Sequence, residues 1–164
     1  PLNNDKRKAP TVTNDGSKAP DFKLQDESGK TLQLAKLKGR PVVVYFYPKD
    51  STPGCTSEGC DFGSLHEKFR RKNTVILGVS RDSLASHEKF KAKFEFPFDL
   101  LSDGDETLCT LFDVIKEKNM YGKKVLGIER STFLIDGDGK LHAEWRKVSV
   151  KGHAEIVLAA VAAL

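Results

Sequence analysis

The residues best suited to covalent chemistry are two cysteines five positions apart. They lie in the stretch Pro48-Lys49-Asp50-Ser51-Thr52-Pro53-Gly54-Cys55-Thr56-Ser57-Glu58-Gly59-Cys60. The apolar run from Val42 to Phe46 leads into this stretch, and a stripe of Phe62, Leu65 and Phe69 leads out. The order therefore reads as strand, loop, cysteine, helix. Cys55 then stands near a helix N-terminus, where the helix dipole favours an anion. An unassisted thiol, with a pKa of ~8.5, is only a few per cent thiolate at neutral pH, whereas helix starts and nearby cations bring cysteines into the range ~3.5–7.5. Thr52-Pro53-Gly54 suits such a site. Gly54 lets backbone N–H groups approach closely, Pro53 fixes one torsion, and Thr52 offers a hydroxyl three residues before the sulfur. The implied chemistry is nucleophilic attack by a thiolate; the competing reading is an inert, small apolar side chain.

Cys60 complicates the picture. Residues five apart in an intact α-helix have Cα atoms roughly 8–9 Å apart and point more than about 100° away from each other. A disulfide needs Cα atoms within about 7 Å. If the two cysteines bridge, the first turns of the helix must unwind, and Gly59 weakens the helix there by roughly 1 kcal/mol relative to Ala. The spacing is not the C-x-x-C of dithiol oxidoreductases. Zinc would call for a second ligand pair that does not follow. The four histidines, at positions 66, 87, 142 and 153, are scattered, and none is placed by motif beside the thiol as a Cys–His hydrolase requires. Cys109, next to Leu108 on the flank of an apolar stripe, reads as packing.

The elements that must position these residues follow from periodicity. Phe22 and Leu24 alternate with Lys23 and Gln25 as in a half-buried strand, Ser28-Gly29-Lys30 turns, and residues 31–34 return as a second strand. Residues 42–46 and 75–79 are continuous apolar runs, as expected of strands buried on both faces. Between them a helix is expected from Cys55 to about Lys72, making a βαβ unit. A second helix is expected from Ser83 to Phe94, with Leu84, His87, Phe90 and Phe94 on one face and Pro97 ending the segment. Ser102 or Asp103 can cap a third helix carrying Leu108, Leu111 and Phe112. Residues 116–127 look like a polar loop. Residues 131–135 read as a strand, Asp136-Gly137-Asp138-Gly139-Lys140 as a hairpin turn, 141–145 as the returning strand, and 155–164 as an Ala-rich C-terminal helix. A βαβ unit followed by ββα is the layout of an α/β thioredoxin-like fold: a mixed central sheet with helices on both faces, here preceded by an N-terminal β-hairpin extension.

Composition limits the alternatives. The chain has 164 residues, 38% hydrophobic and 30% charged, with a net charge of +4. Residues 1–18 are polar, lack apolar periodicity and read as a flexible tail containing Lys6-Arg7-Lys8; residues 19–164 read as one domain. Basic residues are interleaved with acids, so a mixed solvated surface is expected rather than a nucleic-acid patch. Three cysteines do not make a disulfide scaffold, and the odd count points to a reducing, cytoplasmic setting. No run approaches the ~18 apolar residues of a membrane span, and no apolar leader region is visible.

Pro48, Thr52 and Cys55 form P-x3-T-x2-C, which resembles the active-site signature of peroxiredoxins. The longer string from Tyr45 to Cys60 is similar to the peroxiredoxin Q group, also called bacterioferritin comigratory protein. The similarity runs from about Ala19-Pro20-Asp21-Phe22 to the C-terminal helix and includes Gly127-Ile128-Glu129-Arg130-Ser131-Thr132-Phe133-Leu134-Ile135-Asp136. The resemblance implies a thioredoxin-like fold and thiol-dependent reduction of hydrogen peroxide and organic hydroperoxides. It matches Cys55 to the peroxidatic cysteine, Thr52 to the hydroxyl that hydrogen-bonds sulfur and peroxide, and Pro48 to the residue that shields the site. It matches Arg130 to the cation that stabilises thiolate and peroxide oxygens, Glu58 to the acid that orients it, and Cys60 to the resolving cysteine of many members. Other members carry that cysteine in the next helix, which here has none. The resemblance further implies recycling by thioredoxin or a glutaredoxin, a monomer, and no cofactor or metal. A redox-signalling module and a disulfide reductase are the other classes compatible with a reactive cysteine.

Overall fold

The computed structural model describes residues 16–164. The flexible tail expected over residues 1–18, with Lys6-Arg7-Lys8, lies mostly outside the described residues. Its last two residues meet the hairpin turn: Leu141 N–H donates to the Ser17 carbonyl, and Lys18 forms an antiparallel bridge with Lys140.

A seven-stranded mixed sheet organises the molecule. Its strands are β1 (Lys23–Asp26), β2 (Thr31–Gln33), β3 (Val42–Phe46), β4 (Val75–Ser80), β5 (Asp99–Ser102), β8 (Ser131–Ile135) and β9 (Leu141–Trp145), in the order β2-β1-β5-β4-β3-β8-β9. The centre, β5-β4-β3, is parallel; β8 and β9 on one side and β1 and β2 on the other are antiparallel. The expected βαβ unit, N-terminal hairpin and β8–β9 hairpin are all present.

The sequence of β3 explains why it lies at the centre. All five of its residues are buried. Val42, Val44 and Phe46 point into one core, with Phe112, Phe133 and Leu108. Val43 and Tyr45, with Tyr47 just beyond, point into the other, with Phe62, Phe69 and Phe90. A strand with two apolar faces needs a layer on each side. The helices α1 (Pro53–Ser64), α2 (His66–Arg71), α3 (Leu84–Phe94) and α5 (His153–Ala162) supply one layer, while α4 (Thr107–Leu111) lies on the other.

The structure corrects four expectations. The helix after Cys55 does not run unbroken to Lys72. It breaks at Leu65, whose φ of −98° and ψ of 0° leave the helical region. The stripe survives because Phe62 and Phe69 on either side of the break are both buried, with ring centroids 6.0 Å apart. Residues 99–102, to which the sequence assigns no element, form a strand that pairs parallel with β4. Ser102 belongs to that strand, and Asp103 holds the start of α4, its carboxylate accepting from Leu108 N–H (3.0 Å) and Cys109 N–H (2.7 Å). The expected polar loop is instead a β-hairpin, β6 (Ile115–Met120) with β7 (Lys123–Ile128). Its two-residue turn places Tyr121 and Gly122 at φ of 54° and 80°, as a type I′ turn requires. The last helix begins at His153, two residues earlier than expected.

Candidate active site

The reactive stretch sits where β3 leaves the sheet. Tyr47 still donates its N–H to the Val79 carbonyl, and the loop then carries half-buried Pro48 towards α1. Thr52 is the residue that caps α1 by position, with extended backbone, but its side chain does not cap the helix. Its Oγ1 donates to the Lys49 carbonyl at 2.8 Å instead. The hydroxyl hydrogen is thereby used, and the lone pairs stay available to a donor. Pro53 opens the helix with no N–H to satisfy. Helix geometry leaves the N–H groups of Gly54 and Cys55 without a helical acceptor, so they point at whatever occupies the helix mouth.

Cys55 is buried, at 2% exposure. Arg130 reaches it from far along the chain because β8 pairs antiparallel with β3, setting Ser131 opposite Phe46. The residue before Ser131 therefore lies beside the start of α1. Arg130 Nη2 donates to Cys55 Sγ at 3.5 Å, and Nη1 to Glu58 Oε1 at 2.6 Å. One guanidinium thus bridges thiol and carboxylate, the fork geometry to which arginine is suited. Gly54 makes room for it: a Cβ there would come within 3.1 Å of Nη2.

Glu58 is buried and its Oε2 has no partner. Burial pushes its pKa from 4.5 up to about 7, with Arg130 pulling the other way. Tyr45 lies in the same core as Cys55. Its burial, and then the charges of Glu58 and Cys55, push its hydroxyl well above its ordinary value, so it stays protonated. Behind the site, His153 Nε2 pairs with Thr132 Oγ1 at 2.8 Å, and burial followed by the Arg130 charge lowers its pKa to about 4. That ring is neutral at physiological pH.

The residues named from the sequence thus fall into two groups. Arg130 touches both Cys55 and Glu58, with Thr52 one turn before the sulfur. Cys60 is apart: α1 is intact, both thiols are free, and Cys60 is exposed while Cys55 is buried. Burial and then Asp61 raise the Cys60 pKa. Cys109 lies in the core on the opposite face of the sheet from Cys55. Burial first, then Asp103, pushes its thiol far up, which agrees with the packing role read from sequence. Lys118 was missed. Its stem lies along Gly127 in the β6–β7 hairpin; burial first, then the Arg130 charge, lowers its pKa, with Cys55 pulling the other way. Gly127 is three residues before Arg130, but the polar composition of residues 116–127 does not reveal the hairpin that brings Lys118 there.

A model of the AhpC/TSA family matches residues 16–144. The chain belongs to that family. Within it the chain falls in the peroxiredoxin Q/Bcp group and is a thiol peroxidase. It is 58% identical over 143 residues to peroxiredoxin Bcp of Xanthomonas campestris pv. campestris, covering 87% of this chain and 89% of that protein. It is 54% identical to peroxiredoxin Bcp of Bacillus subtilis, covering 84% and 88%. A solved structure of the Xanthomonas campestris bacterioferritin comigratory protein is similar at a TM-score of 0.83 and 57% identity, over 87% of this peroxiredoxin and 90% of that chain. Xylella fastidiosa PrxQ, solved as a Cys→Ser mutant, is similar at 0.86 and 45%, over 90% and 94%. The thioredoxin-like architecture expected of a peroxiredoxin is the one described above. Among the described residues no helix is long and apolar enough to cross a membrane.

Proposed function

We propose that Cys55 is the peroxidatic cysteine of this peroxiredoxin and Cys60 its resolving partner, in a three-step cycle. The observation that carries the reading is the Arg130 guanidinium spanning Cys55 Sγ and Glu58. The cation favours the thiolate and offers a donor where charge develops on the peroxide oxygens. Cys55 thiolate attacks one oxygen of the hydroperoxide, the O–O bond breaks, and the leaving oxygen takes a proton and departs as water or alcohol. The product is a Cys55 sulfenic acid. Thr52, with its hydrogen committed to Lys49, accepts from the peroxide O–H. The N–H groups of Gly54 and Cys55 and the Arg130 fork face the oxygens, and Pro48 shields the loop side. Glu58 orients the arginine.

In the second step the start of α1 unwinds, and the Cys60 thiol displaces hydroxide from the sulfenic acid. Water leaves and a Cys55–Cys60 disulfide forms. An external dithiol then reduces the disulfide by exchange. The family resemblance supports thioredoxin or a glutaredoxin as that dithiol, a monomeric protein, and a cytoplasmic setting. Organic hydroperoxides are included among the substrates because structures of the Xanthomonas campestris relative concern alkyl peroxide reduction with trapped intermediates.

The deciding experiment is stopped-flow oxidation by hydrogen peroxide, with mass spectrometry mapping the disulfide. Cys55→Ser is expected to abolish peroxide consumption. Cys60→Ser is expected to complete one turnover and then stall with thioredoxin as reductant. Normal cycling of Cys60→Ser would remove Cys60 from the resolving role.

A further inference from the structure

Five residues before Cys55, the loop is anchored by a buried acid that the cycle above does not use. Asp50 Oδ1 accepts from Tyr47 Oη at 2.7 Å, and Oδ2 accepts from Ser86 Oγ at 2.8 Å. Oδ2 also meets His87 Nδ1 at 2.7 Å, with both side chains essentially inaccessible to solvent. The other ring nitrogen, Nε2, lies 3.0 Å from the Leu101 carbonyl. The Asp50 N–H donates to Asp82 Oδ2, which also accepts from Ser80 Oγ. Asp50 is thus held by the end of β3, by α3, by the loop after β4 and, through His87, by β5.

A carbonyl only accepts, so Nε2 carries a hydrogen. Nδ1 shares a second hydrogen bond with Asp50 Oδ2, so the buried ring is pinned through both of its nitrogens. The same atoms together with Asp82 have the composition of a cation site. However, Nδ1 and Oδ2 bond directly to each other, and Asp82 Oδ2 is taken by two donors, which leaves no open set of ligands.

Apolar packing holds an element in place more cheaply than a buried polar network, but without fixing its orientation. What is oriented here is the peptide around Asp50. Its neighbour Lys49 supplies the carbonyl that accepts from Thr52 Oγ1. Ser51, between Asp50 and Thr52, sits at φ of +65°, a conformation a serine holds only when both flanks are fixed. We infer that His87 is a positioning residue for the peroxide step: paired with Asp50, it holds the Lys49 carbonyl that orients the Thr52 hydroxyl beside Cys55. This rests on the proposed role of Cys55 as the attacking thiol.

The test separates positioning from general stability. In His87→Leu the second-order rate of Cys55 oxidation by hydrogen peroxide is expected to fall at least tenfold. Reduction of the preformed Cys55–Cys60 disulfide by dithiothreitol is expected to stay within twofold of wild type. The loss should nearly vanish when His87→Leu is built on Thr52→Val, because the hydroxyl through which His87 acts is then gone. An unchanged peroxide rate, or the same loss in both backgrounds, would overturn the inference. If His87→Leu does not fold, the nitrogen-15 spectrum of the wild-type ring decides. A hydrogen held on Nε2 with Nδ1 hydrogen-bonded supports the pinned ring, and an Nε2 without a hydrogen overturns it. Peroxide consumption surviving in Cys55→Ser would instead sink the catalytic assignment, and this inference with it.

Discussion

At the residue scale the site turns on one cation shared by a thiol and a carboxyl group. Arg130 cannot give up its proton at physiological pH, so its charge at the thiol is constant. Removing a single donor of this kind from a reaction centre costs roughly 10²–10³ in rate. Arg130→Ala should therefore slow Cys55 oxidation by about that factor, as measured by stopped flow with hydrogen peroxide; a rate within threefold of wild type would take the arginine out of the site. Glu58 makes a different prediction, because its pKa moves on folding. Below about pH 4.5 the carboxyl is protonated in both folded and unfolded chains. Between 4.5 and about 7 the folded chain keeps a proton that the unfolded chain has released, owing first to burial. Stability contributed by this group is therefore present at low pH and is lost as pH rises through about 7, by up to ~3 kcal/mol. Glu58→Gln keeps an acceptor for Arg130 and removes the titration. Urea unfolding at pH 5 and pH 8 should show the wild type losing about 1–3 kcal/mol more than the variant across that interval.

At the scale of elements, α1 is held by a contact its sequence does not reveal. Gly59 reads as a weak point in the helix. In the structure it is also a seat, since a Cβ there would lie 2.5 Å from Phe96 Cζ. Phe96 cannot easily yield: it stacks on Phe98 at 5.4 Å between centroids and meets Phe90 edge-on at 4.9 Å. Helix propensity alone predicts that Gly59→Ala stabilises by up to about 1 kcal/mol. Overpacking costs about 1–3 kcal/mol, so the clash should win. The reduced variant should be less stable to denaturant, and its sulfenic acid should close to the disulfide faster. A gain in stability would show that the ring moves aside. This contact illustrates what was legible in the sequence and what was not. The runs at Val42–Phe46 and Val75–Val79, and the turn at 136–140, announce themselves because burial and turn chemistry are local. The β6–β7 hairpin does not, because Lys116, Glu117, Lys118 and Asn119 carry no apolar alternation and the strands pair mainly with each other. The break at Leu65 is masked by a stripe that continues across it. At the site, Thr52 and Cys55 share a readable motif. Arg130 was reachable only through resemblance, and the Asp50–His87 pair, 37 residues apart, depends on packing that no periodicity encodes.

At the scale of the whole molecule, the proposed Cys55–Cys60 disulfide raises the question of how the active-site helix could unwind without costing the fold. The sheet answers it by dividing the interior in two. The core with Val44, Phe46, Phe112 and Phe133 receives nothing from α1. The other receives Cys55 and Phe62, and Cys55 is the only apolar side chain that residues 53–60 bury there. Unwinding up to Cys60 thus exposes little apolar area, while Phe62, stacked on Tyr45 at 4.8 Å, keeps the rest of α1 docked. On the other side Asp50 fixes the point where the loop leaves the sheet. The proposed opening is then bounded by Asp50 and Phe62, and its main cost is the loss of the Arg130–Glu58 and Arg130–Cys55 contacts and the Phe96 seat. Amide hydrogen exchange on reduced and disulfide forms should reflect those bounds. Protection at residues 56–60 should fall by at least tenfold on oxidation, and protection in β3, β4 and β8 should hold within threefold. Oxidation that lowered protection along β3 as well would mean that the two cores unfold together, and that closing Cys55 onto Cys60 destabilises the whole domain rather than one edge of it.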